Sequence, residues 1–190
     1  MESLFVEEAV IYQDQFEAQF SNVIGEFENC EFVDVNFETI NLSHYKFLDC
    51  TFKNSNFSNC NFKSAVFRNP KFYQSKLMGI NWSPLKNFGQ LYFEECRLDF
   101  STFQKMNLSK STFLNCQLNE VDFEECQMIE VDLKYCNLIA ANFNRTNLHK
   151  ADLRFCSNLQ LNVEHTNLKD ATMDSEMALL LVQQMGVKIV

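Results

Sequence analysis

Large hydrophobic residues recur at every fifth position along most of this chain. Thirteen successive positions from Phe93 to Leu153 are Phe, Leu or Met, and twelve from Phe27 to Trp82 follow the same spacing. An amphipathic helix would place apolar residues three and four apart, and a half-buried strand would alternate with a period of two. A period of five fits neither element, so the chain must turn within each pentad to keep these positions on one side. The pattern therefore predicts a solenoid built from short sides.

The number of sides per coil follows from which pentads resemble each other. The position two residues before each large hydrophobe is mostly small or modestly apolar, which predicts two inward residues and three outward residues per pentad. Phe103, Phe123 and Phe143 stand twenty residues apart, whereas a spacing of fifteen would mix Phe with Leu. We therefore expect four sides per coil, with successive coils about 4.8 Å apart.

Three segments are predicted from where the five-residue frame holds. Residues 1–26 are out of frame and read as an N-terminal cap or an irregular first coil, although Ile11, Phe16 and Phe20 are suitably spaced for a core. Residues 27–173 form the repeat, with a break at 83–92 that contains Pro84 and Gly89. The break is either a single inserted residue, with Phe88 as a central residue, or a full surface loop. The frame weakens after Leu153, and Asn158 at a central position is unfavourable unless it is hydrogen-bonded.

Residues 174–190 change in character and predict a helix followed by a strand. Asp174 or Ser175 can cap a helix from Glu176 to Met185 that Gly186 ends, and a short strand is expected over 187–190. The helix carries more apolar residues than one buried stripe requires, which predicts a homodimer through this end as well as a cap over the last coil. A purely intramolecular cap is the alternative. The predicted dimer interface comprises Met177, Leu180, Leu181, Met185, Val187 and Ile189.

The residue types that commonly carry catalysis or bind metals are placed unfavourably for either role. All eight cysteines fall at the inward position two residues before a large hydrophobe, and the histidines are scattered over outward positions. The cysteine spacings lack the close pairs of a zinc site, so we expect reduced core thiols. We expect no enzyme, no catalytic residues, no cofactor and no metal. The cysteines are Cys30, Cys50, Cys60, Cys96, Cys116, Cys126, Cys136 and Cys156.

Charge is distributed in blocks along the chain. The net charge is −9, which makes direct nucleic-acid binding unfavourable. Residues 1–38 contain ten acids and no base, residues 46–86 contain seven bases and one acid, and residues 94–132 contain nine acids and three bases. No membrane-spanning run and no basic signal-peptide region precede the repeat, so a cytoplasmic location is expected.

Units such as Ala141-Asn142-Phe143 and Ala151-Asp152-Leu153 resemble the pentapeptide-repeat family over roughly residues 27–173. The resemblance implies an all-β fold, a right-handed quadrilateral β-helix (pentapeptide-repeat solenoid), here with a short C-terminal helix. The C-terminal segment is similar to the dimerisation module of family members that protect bacterial type II topoisomerases. Those members confer quinolone resistance, or self-immunity to poisons such as microcin B17 and albicidin, and are thought to mimic duplex DNA. The quinolone-resistance members carry two projecting loops, whereas this chain has one short break and is more similar to the immunity type.

The leading hypothesis is a non-enzymatic protein that mimics DNA in part and protects DNA gyrase or topoisomerase IV. A rod of seven coils would span about 35 Å and match about 20 duplex charges. The rival hypothesis is a structural interaction scaffold with no topoisomerase role. The candidate partner-binding residues are Glu94, Glu95, Asp99, Glu120, Asp122, Glu124, Glu125, Glu130 and Asp132, with Trp82 and Pro84 at the break.

Overall fold

The computed structural model describes residues 3–19, 24–38 and 40–189, and they form a four-sided parallel β-solenoid with a C-terminal helix. Equivalent residues on successive coils pair in register at a spacing of twenty, as in the series Phe27, Phe47 and Phe67. The predicted all-β quadrilateral solenoid is thereby confirmed. In chain order the strands are β1 (Ser3–Glu7), β2 (Val10–Tyr12), β3 (Ile24–Glu28), β4 (Glu31–Val33), β5 (Lys46–Leu48), β6 (Thr51–Lys53), β7 (Val66–Arg68), β8 (Lys71–Tyr73), β9 (Tyr92–Glu94) and β10 (Thr112–Leu114).

The strands and isolated bridges line up as four faces. The first face pairs β1, β3, β5 and β7 in parallel, and the second face pairs β2, β4, β6, β8, β9 and β10. The third face continues as single bridges from Asn36 to Ser157, and the fourth face includes the bridges from Asn81 to Asn142. Most sides of the solenoid are too short to count as strands, because each pentad gives only one residue in regular bridge geometry before the chain turns.

Both inward positions of each pentad pack into one continuous core. The rings of Phe32 and Phe52 stack at 5.0 Å between successive coils, and Phe47 meets Phe52 edge-on at 5.3 Å across the same coil. Stacking along the axis and edge contacts across it are the two favourable arrangements of aromatic pairs. Burial of each such side chain stabilises the fold by about 1.5–3 kcal/mol, so the core dominates stability.

The corners between faces are made by residues in the left-handed backbone region. Every fifth residue from Glu95 to Phe155 has a positive φ, and at most of these corners the N–H donates to a carbonyl of the next coil, as Phe100 N does to Asn119 O at 2.9 Å. A left-handed residue costs about 1 kcal/mol unless it is Gly, Asn or Asp. Where it forms, the inter-coil hydrogen bond offsets this cost.

The first coil is more regular than the sequence predicts. Ile11 pairs with Phe32, and the Phe16 ring lies 5.0 Å from the Phe37 ring, so both fill core positions one coil before their partners. Phe16 belongs to a helix, α1 (Gln13–Gln19), which the pattern did not predict. Phe20 lies outside the described residues. The pairing offset of this coil is 21 rather than 20.

The break at 83–92 contains a single extra residue. Lys71 pairs with Tyr92, and Lys76 with Arg97, at a spacing of 21 in place of 20. Leu85 and Leu91 fill buried positions, whereas Phe88 is half-buried against the core. The structure therefore favours the insertion over a full loop. Gly89 has φ +71°, and a Cβ there would collide with the Asn69 side chain.

At the end of the repeat, two predictions were wrong. Asn158 does not occupy a core position: it is exposed, donates to Asn137 Oδ1 at 2.8 Å, and Leu159 is buried instead. The reason is the cost of burying an amide, which a shift of one residue avoids. Residues 187–189 form no strand, because the preceding helix covers the last coil and leaves no edge to pair with. Val190 lies outside the described residues.

The C-terminal helix α2 (Ser175–Gln184) begins where the sequence predicted. Asp174 is the N-cap, and its Oδ1 accepts from Met177 N at 3.0 Å. Its Oδ2 accepts from Phe155 N at 2.8 Å, replacing the carbonyl that a further coil would supply. These two backbone donors hold the pKa of Asp174 below its usual range. No helix in the described part of the chain is long and apolar enough to cross a membrane.

Candidate partner-binding surface

The outward positions of each pentad present the predicted acidic residues on several sides of the rod. Eight of the nine acids are exposed or partly exposed. Asp122 lies on the fourth face and Asp132 on the second. Glu95, Glu120, Glu125 and Glu130 are corner residues with φ between 54° and 58°, and they belong to different corners. The acids therefore surround the rod and form no single stripe.

Two of the candidate residues are buried and unavailable to a partner. Asp99 is 3% exposed, pairs with Arg97 at 3.2 Å, and accepts from Asn119 Nδ2 at 2.7 Å. Trp82 is fully buried and stacks on Phe103 at 5.3 Å. Its indole N–H has no hydrogen-bond partner among the described residues. Both residues serve the interior, whereas Pro84 beside them is exposed.

Residues of neighbouring coils, or residues close in sequence, engage most of the other acids. Lys105 and Arg145, from the coils on either side, lie 3.9 and 3.6 Å from Glu125. Asn144 Nδ2 donates to Glu124 at 2.9 Å. Tyr92 donates its hydroxyl to Glu94 at 2.6 Å, which raises the pKa of that tyrosine. Because neighbours stand twenty residues away, the sequence pattern alone did not reveal this compensation.

Other acids of the block are also bonded, and two are not. Gln74 donates to Glu95 at 2.8 Å, and Lys134 lies 3.0 Å from Asp132. Asp122 accepts from Asn142 Nδ2 at 2.9 Å. Among the described residues, no hydrogen bond or ion pair engages the carboxylates of Glu120 and Glu130. These two residues are the most accessible fixed negative charges of the block.

Several bases of the block 46–86 form ion pairs with acids of the protein itself. Lys46 lies 2.8 Å from Glu26, Lys53 lies 2.7 Å from Glu31, and Arg68 reaches Glu28 at 3.1 Å. Arrays of opposite charge one or two coils apart stabilise adjacent coils, each exposed pair contributing about 0.2–1 kcal/mol. Three of the seven bases of this block therefore pair with acids of the N-terminal block along the solenoid axis.

The cysteines all point inward and are free thiols. Burial raises the pKa of Cys50, Cys60, Cys126 and Cys156 to about 12, and raises that of Cys96 and Cys116 further. Cys126 and Cys136 donate to the carbonyls of Phe103 and Phe113 at 2.9 and 3.0 Å. A thiol with such a pKa is neutral at physiological pH and is a poor nucleophile.

The residues predicted for the dimer interface divide into two groups. Met177 and Leu181 are buried against the last coil and belong to the intramolecular cap. Gln184 fixes the same side of the helix, since its amide donates to Leu159 O and accepts from Leu161 N at 3.0 and 3.1 Å. The exposed members are Leu180, Met185, Val187 and Ile189.

Sequence reasoning missed three exposed aromatic residues at corners, Phe100, Tyr135 and Phe155. Each has a positive φ of 62° or 63°. The rings of Tyr135 and Phe155 stack with centroids 4.9 Å apart and an interplanar angle of 12°. An apolar ring two residues after a central hydrophobe, where polar residues prevail, was the available indication in the sequence.

A solenoid of this type, with a polar outer surface and a helix over one end, is a repeat scaffold. The model of the pentapeptide repeat region matches residues 18–90, and the model of pentapeptide repeats in eight copies matches residues 126–157. Together the two matches cover more than half of the chain. This chain belongs to the pentapeptide-repeat family.

Solved structures resemble the whole chain. A structure of a trypsin-treated single-residue variant of QnrB1, a plasmid-mediated fluoroquinolone resistance protein, is similar with a TM-score of 0.74 and 16% identity, covering 99% of this chain and 98% of that one. Full-length QnrB1 is similar with a TM-score of 0.51 and 16% identity, covering 98% and 100% of the two chains. At such identity the likeness establishes the fold alone. A search of curated protein sequences finds no match.

Proposed function

We propose that this chain is a non-enzymatic binding protein that protects a bacterial type II topoisomerase, DNA gyrase or topoisomerase IV, from a poison. The supporting observation is the likeness to QnrB1 over almost the full length of both chains, C-terminal segment included. Because QnrB1 is described as a fluoroquinolone resistance protein, the corresponding role here is antibiotic resistance or self-immunity. Such a role places the protein in the cytoplasm with its target.

The binding mode that we propose is partial DNA mimicry. Duplex DNA presents about one charge per 1.7 Å of axis, and a rod that replaces it must present accessible negative charge. Glu120 and Glu130 meet this requirement, while Asp99 is buried and Glu125 is compensated by two bases. The proposed contacts are therefore Glu120 and Glu130, which stand at different corners of the rod, with Pro84 at the break as a further contact.

The test is a supercoiling and DNA-cleavage assay with purified gyrase, titrated with this protein in the presence of a quinolone, albicidin or microcin B17. Relief of poison-induced cleavage, or inhibition of supercoiling at higher protein concentration, is the expected result. Absence of any effect with both gyrase and topoisomerase IV would overturn the proposal.

Charge reversal tests the proposed surface. Glu120→Lys combined with Glu130→Lys should raise the protein concentration needed for half-maximal effect about tenfold. The control is Glu26→Gln, which lies outside the acidic block and is paired with Lys46. Equal effects of the control and the double variant would show that these two acids do not form the contact.

A structural interaction scaffold is the second candidate function. The observation that favours it is that ion pairs between coils engage several surface charges, including Glu125 of the acidic block. This alternative predicts no effect in the topoisomerase assays. It also predicts that the protein co-purifies with a partner whose capture survives the Glu120→Lys and Glu130→Lys changes.

A further inference from the structure

The stacked rings of Tyr135 and Phe155, here called the aromatic corner, are exposed where folding gives no reason for an aromatic residue. Their exposed fractions are 53% and 55%. The equivalent corner residues of the three preceding coils are Gln74, Glu95 and Asn115. Burial therefore does not account for the choice of an aromatic residue at these two positions.

The backbone at these positions makes the choice costly. Both residues have a φ of 62°, a conformation that bulky side chains rarely adopt and that Asn and Gly adopt readily. Strained residues persist where the structure imposes them, and they are enriched at binding sites. Every corner from Glu95 to Phe155 shares this conformation, so the feature that points to recognition is the exposed pair of stacked apolar rings.

A groove adjoins the aromatic corner. Its lining includes Phe155, Asn158, Glu176 and Leu180, and it measures about 630 Å³. Leu180 is 42% exposed and gives the groove an apolar wall. An aromatic ring, an aliphatic side chain and polar groups thus line the same groove.

The charge of the groove is negative. Its lining contains the carboxylates of Asp174 and Glu176 and no basic residue. Asp174 accepts two backbone N–H groups, so it fixes the backbone of Phe155, and no ion pair in the described part of the chain involves Glu176. Arg154 stands beside Phe155, but its guanidinium is bound to Asp152 at 2.6 Å.

We propose that the aromatic corner and this groove bind an arginine-containing, leucine-flanked segment of a partner protein. A guanidinium stacks on aromatic faces and pairs with a carboxylate, which matches exposed rings beside Glu176. The aliphatic flank of the segment contacts Leu180. The groove is not lined by Glu120 or Glu130, and the proposal does not depend on the partner being a topoisomerase.

The probe is a synthetic peptide, acetyl-Gly-Leu-Arg-Leu-Arg-Leu-Gly-amide, with a citrulline counterpart that is neutral and nearly isosteric. Binding is measured by fluorescence anisotropy of labelled peptide and located by two-dimensional NMR of the full chain. The arginine peptide should bind at least about fivefold more tightly than the citrulline peptide, and the shifts should centre on Phe155, Glu176 and Leu180. Equal affinities, or shifts centred elsewhere, would overturn the proposal.

Asparagine substitutions separate binding from folding. Phe155→Asn and Tyr135→Asn install a residue that suits the corner backbone, so each variant should fold at least as stably and bind the peptide about five- to tenfold more weakly. The matched control is Phe100→Asn, since Phe100 is an exposed aromatic corner residue outside the groove. Unchanged binding by the Phe155 variant, or an equal loss in the Phe100 control, would contradict the site.

A second copy of the chain is the competing occupant of the same surface. In that case Phe155→Asn would change the sedimentation coefficient without changing affinity for the peptide. This pattern would also overturn the proposal.

Discussion

Each residue of a pentad has a fixed physical role, and the structure shows which roles tolerate exceptions. The two inward positions exclude an amide, as the displacement of Asn158 by Leu159 demonstrates. The corner position, in contrast, accepts glutamate, lysine, arginine and aromatic residues despite its left-handed backbone. The free energy gained by burying a core side chain exceeds the cost of a left-handed backbone at a corner. The residue type is therefore restricted at core positions and can vary with function at corner positions.

The buried thiols give a prediction at this scale. Native protein should not react with the thiol reagent DTNB at pH 8 over minutes, whereas all eight cysteines should react in denaturant. The reason is burial, which raises the pKa of thiols such as Cys50 and Cys156 to about 12. Rapid stoichiometric labelling of the native protein would contradict the inward placement.

The same shifts give the sign of the alkaline pH dependence. The thiol pKa is raised in the folded state from about 8.5 in an unfolded chain, so the contribution to stability is complete below about pH 8.5. It is lost as the pH rises toward the folded value of about 12. The free energy of unfolding from urea titrations should therefore fall between about pH 8 and about pH 10.

At the scale of elements, each strand is held by backbone hydrogen bonds to the coils before and after it. The N–H at the start of β10 donates to the preceding coil, from Thr112 to Leu91 O at 2.9 Å, and Glu31, Thr51 and Lys71 do the same. Val10 holds the equivalent position in β2, which is the outer strand of its sheet in the described part of the chain. Proline is tolerated where no ladder hydrogen bond is lost.

Two proline variants test this assignment. Val10→Pro should change the free energy of unfolding by less than about 1 kcal/mol, because its N–H is not needed for pairing with β4. Thr112→Pro should destabilise the protein by at least about 2 kcal/mol, because Leu91 O loses its donor. Urea unfolding followed by circular dichroism compares the two, and equal losses would show that the first coil has a further neighbour.

For the whole molecule, the C-terminal end of the rod is covered by a helix that also leaves apolar residues exposed. Helix α2 covers the last coil with Met177 and Leu181 and leaves other apolar residues exposed. Exposed apolar patches at a solenoid end are typical of association surfaces. We therefore predict a homodimer through the C-terminus that rests on the exposed residues outside the groove, Met185, Val187 and Ile189.

Sedimentation measures this prediction. The wild-type chain should sediment at twice its mass of 22.3 kDa, and Met185→Glu with Val187→Glu should yield monomers. Both side chains are at least half exposed, so the changes should leave the fold intact. Leu4→Glu with Phe5→Glu, at the opposite end, is the control and should remain dimeric. A monomeric wild type would refute the dimer.

The amino-acid pattern was sufficient to predict the solenoid, its four faces, its inward residues and the start of the C-terminal helix. These features follow from local periodicity, because a five-residue pattern repeated along the chain admits one way of burying its hydrophobes. The size of the break, helix α1 and the lack of a strand at 187–189 could not be predicted in this way. They depend on contacts with residues about twenty positions away in the sequence.

The accessible charges and the aromatic pair of the surface, in contrast, follow from contacts between coils. Glu125 acquires its compensating bases from the coils before and after it, and Asp99 becomes buried although its position is nominally outward. The pairing of Tyr135 with Phe155 likewise arises from stacking of successive coils. Surface charge and recognition in a solenoid are set by contacts along the axis, and those contacts join residues that are remote in the sequence.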